Sequence, residues 1–207
     1  MPTRSETPAT SSPLAPLPSG VSPAELGLER EGTHLRFPLG LIAPEEHEAQ
    51  ALMRAAGASQ QPTWWRNGIE RQNVTVVVSV GAISLNSQLM PILEAADAAG
   101  ATSLAIIAPT ASDEALATLL VNDLRGAFPG GILALGVHAE EFHKDEVIEW
   151  IASQLGIPAW DGRPQNLHLA RVGLLRATHE GAAIELQLPE PPSLLARASR
   201  WLGRARR

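Results

Sequence analysis

His138, Glu140, Glu141 and His143 bring four potential metal ligands into one short window of the chain. The two histidines stand five apart, whereas a helical zinc pair needs them at i and i+4, so that both rings leave one face. Read across a strand end and the loop after it, they are better taken as surface polar residues, and no metal site is expected. The chain has no cysteine, which removes disulfides, thiolate metal sites and cysteine nucleophiles together. No Ser/His/Asp order and no close carboxylate pair stands out, so nothing supports an enzyme. Neither GxxxxGK[ST] nor GxGxxG occurs, so no nucleotide or other cofactor is expected. Trp64-Trp65 could form a binding patch, although adjacent aromatics in a loop more often cap a core edge.

The other chemically distinctive stretch is the last one, "PSLLARASRWLGRARR". Leu194, Leu195, Ala198, Trp201 and Leu202 recur with helical spacing, while Arg197, Arg200, Arg204 and Arg207 form a second stripe. Such a basic amphipathic segment suits anionic lipid, nucleic acid or an acidic partner. It equally suits a solvated helix that docks its Leu/Trp face on its own domain.

These segments belong to a chain of 207 residues with 44% hydrophobic and 18% charged residues, enough for one domain with a sizeable core plus tails. The formal net charge of -6 argues against a molecule built to blanket a phosphate backbone. No apolar run reaches the ~18–20 residues of a membrane-spanning helix, and the first residues lack the pattern of a secretory signal. A cytoplasmic protein is therefore expected.

Residues 1–22 are rich in Pro, Ser and Thr and read as a disordered tail, because they offer too little apolar area to offset the entropy of ordering. In residues 23–72, "THLRFPLGLI" could supply a short strand, and Pro44 with Glu45, Glu46 and Glu48 suits the start of a helix running to about Ala56. "VTVVVSV" (Val74–Val80) is a β-branched strand. "SQLMPILEAADAAG" is a helix ending at Gly100, with Pro91 placed in or near its first turn. "SLAIIAP" is a second strand, and Ser112 caps the helix "DEALATLLVNDLR", which closes at Gly126. "GGILALGV" is a third strand and "KDEVIEWIASQLG" a third helix. "LARVGLLRA" and "AAIELQL" flank a turn at His179-Glu180-Gly181, as a C-terminal β-hairpin. Strand and helix alternating in this way imply an α/β domain with partly parallel pairing.

Ile83-Ser84, the run Met90-Pro91-Ile92-Leu93-Glu94-Ala95 with Gly100, "LAIIA" and "EALATLLVNDLRG" together resemble the two groove helices of the group I (GroEL-type) chaperonin apical domain. The similarity is specific over Ile83–Gly126 and extends more thinly from Asn73 to Leu188. It implies an apical-like domain over residues 73–190, of the swivelling β/β/α type, with two groove helices. Residues 23–72 would be an N-terminal extension poorly matched to that family, and 191–207 the basic amphipathic tail. The family's equatorial ATPase domain has no counterpart here, so the resemblance carries over polypeptide binding alone.

The resemblance implies an apolar groove from Met90 and Leu93 on the first helix and Leu116, Leu120 and Val121 on the second. Glu94, Asn122 and Arg125 would form its polar edge. Asp97 stands where the family would have a small apolar residue and would favour basic or amphipathic ligands. Leu116 and Leu120 lie at i and i+4, Met90 and Leu93 at i and i+3, so each pair shares a helix face. From periodicity alone these residues are core, and both readings stand at this point. The implied function is ATP-independent, chaperone-like or adaptor binding of non-native polypeptide. The alternatives are a module for one specific partner, such as a co-chaperonin loop or a chaperonin, or a membrane- or nucleic-acid-associated protein working through its arginine tail.

Overall fold

The structure is a computed structural model that describes residues 17–42, 50–51, 53–54, 68–139 and 143–186. The strands are β1 (Glu29–Glu31), β2 (His34–Phe37), β3 (Leu39–Leu41), β4 (Ile69–Val78), β5 (Leu104–Ala108), β6 (Ile132–Val137), β7 (Ala170–Ala177) and β8 (Ala182–Leu186). The helices described in full are α1 (Asn86–Ala98), α2 (Asp113–Leu124) and α3 (Lys144–Leu155), and residues 50–51 and 53–54 are also helical. The eight strands among the described residues form one mixed sheet in the order β1-β2-β8-β7-β4-β5-β6-β3. β4, β5 and β6 run parallel, each followed by a helix, while β7 returns antiparallel on the other side of β4. The expected strands and helices from residue 74 onward and the terminal hairpin are therefore present, in one α/β sheet, while most of the helix expected from Pro44 to about Ala56 lies outside the described residues.

Part of the segment expected as an extension ahead of the domain, residues 29–41, pairs into this sheet. β2 pairs with β8 and β3 pairs with β6, and Pro38 alone separates β2 from β3. One kinked strand thus joins two distant members of the strand order and curls the sheet back on itself. Leu35, Phe37, Leu39 and Leu41 alternate along it and are all buried in the inner cluster, as the two-residue period of a strand requires. Proline has no amide hydrogen for either ladder, and the Pro38 carbonyl accepts instead from the His138 amide at 2.6 Å. Beyond the kink, the Leu41 amide donates to the Thr178 carbonyl at 2.8 Å, which ties β3 to the turn of the β7–β8 hairpin.

β4 begins five residues before the expected strand, at Ile69. Ile69 and Val74 both face the inner cluster although an odd spacing separates them. The phase changes at Asn73, which has φ 52, a left-handed conformation that asparagine tolerates better than most residues. On the neighbouring strand, β7 carries a bulge between Val172 and Leu174.

The sheet separates two cores. Val74, Val76 and Val78 of β4, Ala105 and Ile107 of β5, and Leu133, Leu135 and Val137 of β6 enter the inner cluster with Val147, Ile148 and Ile151 of α3. Trp150 of α3 meets Phe37 edge-to-face, with centroids 6.0 Å apart. Alternate residues, Val77, Leu104, Ile106, Ile132 and Ala134, face the opposite way and pack with Leu89, Ile92 and Ala96 of α1 and Ala115 and Leu119 of α2. No helix among the described residues is long and apolar enough to cross a membrane.

Gly40 stands opposite Gly136 in the β3–β6 ladder. A Cβ at Gly40 would run into the His138 ring and the His179 carbonyl, and the carbonyl belongs to backbone that cannot step aside. Gly40→Ala is expected to cost about 1–3 kcal/mol in urea unfolding. Gly81→Ala, where a Cβ meets nothing within 4 Å, is the control and should stay within about 0.5 kcal/mol of the unaltered chain.

Candidate functional site

α1 and α2 leave the carboxyl ends of adjacent parallel strands, and the loops that lead into them are zipped together. Ile83 and Ala111 form a parallel bridge. The Ile83 amide donates to the Thr110 carbonyl at 3.0 Å and the Ser112 amide to the Ile83 carbonyl at 2.9 Å. The Ser112 hydroxyl donates to the Ser84 carbonyl at 2.9 Å and accepts from the Ala115 amide at 3.2 Å. It thus caps α2, as its position in the sequence requires, and also holds the loop of α1. At the head of α1 the Gln88 carboxamide oxygen accepts from the Ser84 and Leu85 amides at 2.8 and 2.9 Å, taking up donors that a helix start leaves unpaired.

Asn86 bridges the two helices. Its Nδ2 donates to Glu114 Oε1 at 2.9 Å, and its Oδ1 accepts from the Thr118 hydroxyl at 2.7 Å. Because α1 and α2 start from adjacent parallel strands, one turn on from Asn86 and Thr118 stand Met90 and Asn122, on facing flanks of the seam. Pro91 sits in the second turn of α1 rather than the first, so the Ser87 carbonyl loses its helical donor; Ser87 is exposed, and solvent can serve it. At the far end of α1, Arg171 Nη2 donates to the Ala99 carbonyl at 2.7 Å.

The apolar candidates divide by accessibility. Met90 is 48% exposed and Val121 half-buried, whereas Leu93, Leu116 and Leu120 are buried. The face shared by Leu116 and Leu120 is turned inward, and the Met90–Leu93 pair straddles the edge of the core. Leu93 and Leu116 pack in the cluster beneath the helices, and Leu120 is buried outside both clusters. Of the polar candidates, Glu94, Asp97 and Arg125 are exposed. Asn122 is half-buried, with its Nδ2 donating to the Thr118 carbonyl at 2.8 Å. The accessible apolar surface includes a residue the sequence pattern does not single out: Leu85, 55% exposed. Its only signal is a large aliphatic side chain at the residue before a helix, where small polar caps are preferred. Leu85 and Met90 are the exposed large hydrophobic residues among those described.

The other candidates lie apart. His143 opens α3, with Nδ1 3.8 Å from Glu146 Oε2, and His138 is exposed at the end of β6. Glu140 and Glu141 lie outside the described residues, among which no group of three or more metal-ligating side chains occurs. Trp64-Trp65 and the tail residues Arg197, Arg200, Trp201, Arg204 and Arg207 also lie outside them. A concavity of about 880 Å³ opens on the other part of the sheet. Two ion pairs line it, Arg176 with Glu70 at 2.7 Å and Arg36 with Glu29 at 3.5 Å.

Two solved structures of the chaperonin gp146 from the bacteriophage EL 2 (Pseudomonas aeruginosa), determined with ATP-BeFx, are similar to this chain at 12% and 11% identity, with TM-scores of 0.47 and 0.48. Each comparison covers 86% of this chain but only 33% and 32% of the chaperonin, so the chain spans about a third of that protein's length. No family model and no curated protein matches the sequence.

Ser112→Ala removes the α2 cap together with the tie to the Ser84 carbonyl. The expected cost is about 1–2 kcal/mol, measured by urea unfolding, and Ser112→Asp, which can still cap, should recover part of it.

Proposed function

We propose that the chain binds segments of other polypeptides along the α1–α2 seam, in a chaperone-like or adaptor role that needs no nucleotide. The observation that carries this reading is the pairing of Leu85 and Met90, exposed at the head of α1, with the polar border of Glu94, Asp97 and Glu114. A methionine suits such a surface, because its flexible thioether adapts to varied partners. The helices beneath are fixed by the buried cluster and by the bridged loops, so the site is a rigid ledge on which a ligand is the adaptable member.

Magnitudes set the character of the binding. Covering what remains exposed of Leu85 and Met90 contributes roughly 2–3 kcal/mol, against association costs of about 4–15 kcal/mol. Apolar burial alone therefore gives weak binding. The polar border decides which ligands gain enough from further contacts, or several copies must act on one ligand.

Titration of a reduced, unfolded model protein into the unaltered chain and into a Leu85→Ser/Met90→Glu variant tests the reading. Both side chains are exposed, so the fold should survive, as circular dichroism would show, while affinity falls at least about tenfold. Equal binding by both chains would place the ligand on another surface.

A further inference from the structure

The border of this seam is mainly acidic, with Arg125, exposed just past the end of α2, as the one cation among its candidate residues. α1 contains Glu94 and Asp97 and no basic residue, and α2 contains Asp113, Glu114 and Asp123 and none either. Asp123 is engaged with the sheet, where its Oδ1 accepts from the Ile132 amide at 2.8 Å. Glu94, Asp97, Asp113 and Glu114 are exposed. Met90, Glu94 and Asp97 fall at i, i+4 and i+7, so apolar and acidic groups share one stripe of α1. The matching surface is a strip of apolar and cationic side chains at helical spacing.

The chain contains such a strip. Between Ser193 and Arg207 it carries Arg197, Arg200, Arg204, Arg206 and Arg207, no acidic residue, and an apolar stripe of Leu194, Leu195, Trp201 and Leu202. The last described strand ends near the acidic end of the seam. β8 ends at Leu186, whose register partner is Val172. The residue before Val172, Arg171, makes the contact to the Ala99 carbonyl at the end of α1. The chain therefore leaves the sheet about one strand spacing, ~4.8 Å, from the strand that touches the acidic end of α1. The seven residues 187–193 can span about 23 Å, and Asp97 lies only about 10 Å along the helix from Met90.

We infer that residues 193–207 are an intramolecular occupant of the α1–α2 seam, with the arginines against Glu94, Asp97 and Glu114 and the Leu/Trp stripe over Met90 and Leu85. This rests on the polypeptide-binding reading of the same seam and adds its regulation: the tail is a built-in competitor that foreign ligands must displace. A short tether holds its end at a local concentration of about 1 mM. A tail that binds at about 0.1 mM when free would then mask about nine sites in ten and weaken apparent affinity about tenfold.

The test uses the full chain, its Arg197→Glu/Arg200→Glu/Arg204→Glu variant, and a fluorescent peptide of residues 193–207. The peptide should bind the charge-reversed chain about tenfold more tightly than the unaltered one, independently of protein concentration, with salt weakening both. Adding Met90→Glu and Asp97→Lys to the charge-reversed chain should abolish binding, with circular dichroism unchanged. Equal affinity for the unaltered and charge-reversed chains would overturn the inference, as would binding that ignores Met90 and Asp97. A tail that binds anionic vesicles or DNA while the peptide ignores the seam overturns it too. If the peptide fails but an unfolded model protein still binds in a Met90-dependent way, the occupant is wrong and the seam stands as a binding site. If neither binds, both readings fall.

Discussion

The seven residues from Leu35 to Leu41 hold two parts of the sheet at once, and the rest of the fold depends on that double pairing. Up to Phe37 they extend the hairpin side through β8, and from Leu39 they extend the parallel side through β6. Every second side chain in this stretch enters the inner cluster. Removing the strand would open the ladders of β6 and β8 together and expose one wall of the core. Pro38 is tolerated because it falls between two ladders, where an amide donor has no partner to meet.

That closure determines what the helix pair can be. The inner face of β4, β5 and β6 is filled by the kinked strand and α3, so α1 and α2 lie on the opposite face, above their own cluster. Packing consumes their most apolar faces, including Leu93, Leu116 and Leu120. What remains accessible is decided at the loops: the Ile83–Ala111 bridge and the Asn86 contacts fix the two helix heads, and Leu85 and Met90 are left at the surface beside them. A site built in this way offers little apolar area but a defined position and a defined charge, which suits selective binding better than tight binding.

Much of the architecture was legible in the residues. Ser112 before Asp113-Glu114 marks a helix start by its capping oxygen, and the β-branched runs mark buried parallel strands whichever way they face. Two features were obscured for physical reasons. The proline in "FPLGL" interrupts the period that would identify Leu35–Leu41 as one strand, although its alternation continues across the kink. The left-handed turn at Asn73 shifts the alternation of β4, hiding the first part of that strand from any periodic reading. For the site, helix periodicity shows which residues share a face but not which face the sheet covers. Taken alone it makes all of the apolar candidates core, which holds for Leu93, Leu116 and Leu120 and fails for Met90. Leu85 lies before the helix, outside the periodic pattern altogether.

The central claim is that polypeptide ligands lie across the head of α1. The most direct measurement is photo-crosslinking from a reactive residue placed at position 90, with position 183 on the open sheet face as the control, in the presence of an unfolded model protein. Adducts are expected from position 90 and essentially none from position 183, with competition by excess unlabelled ligand. Equal labelling from both positions, or labelling from position 183 alone, would contradict it and move the binding surface to the other side of β4.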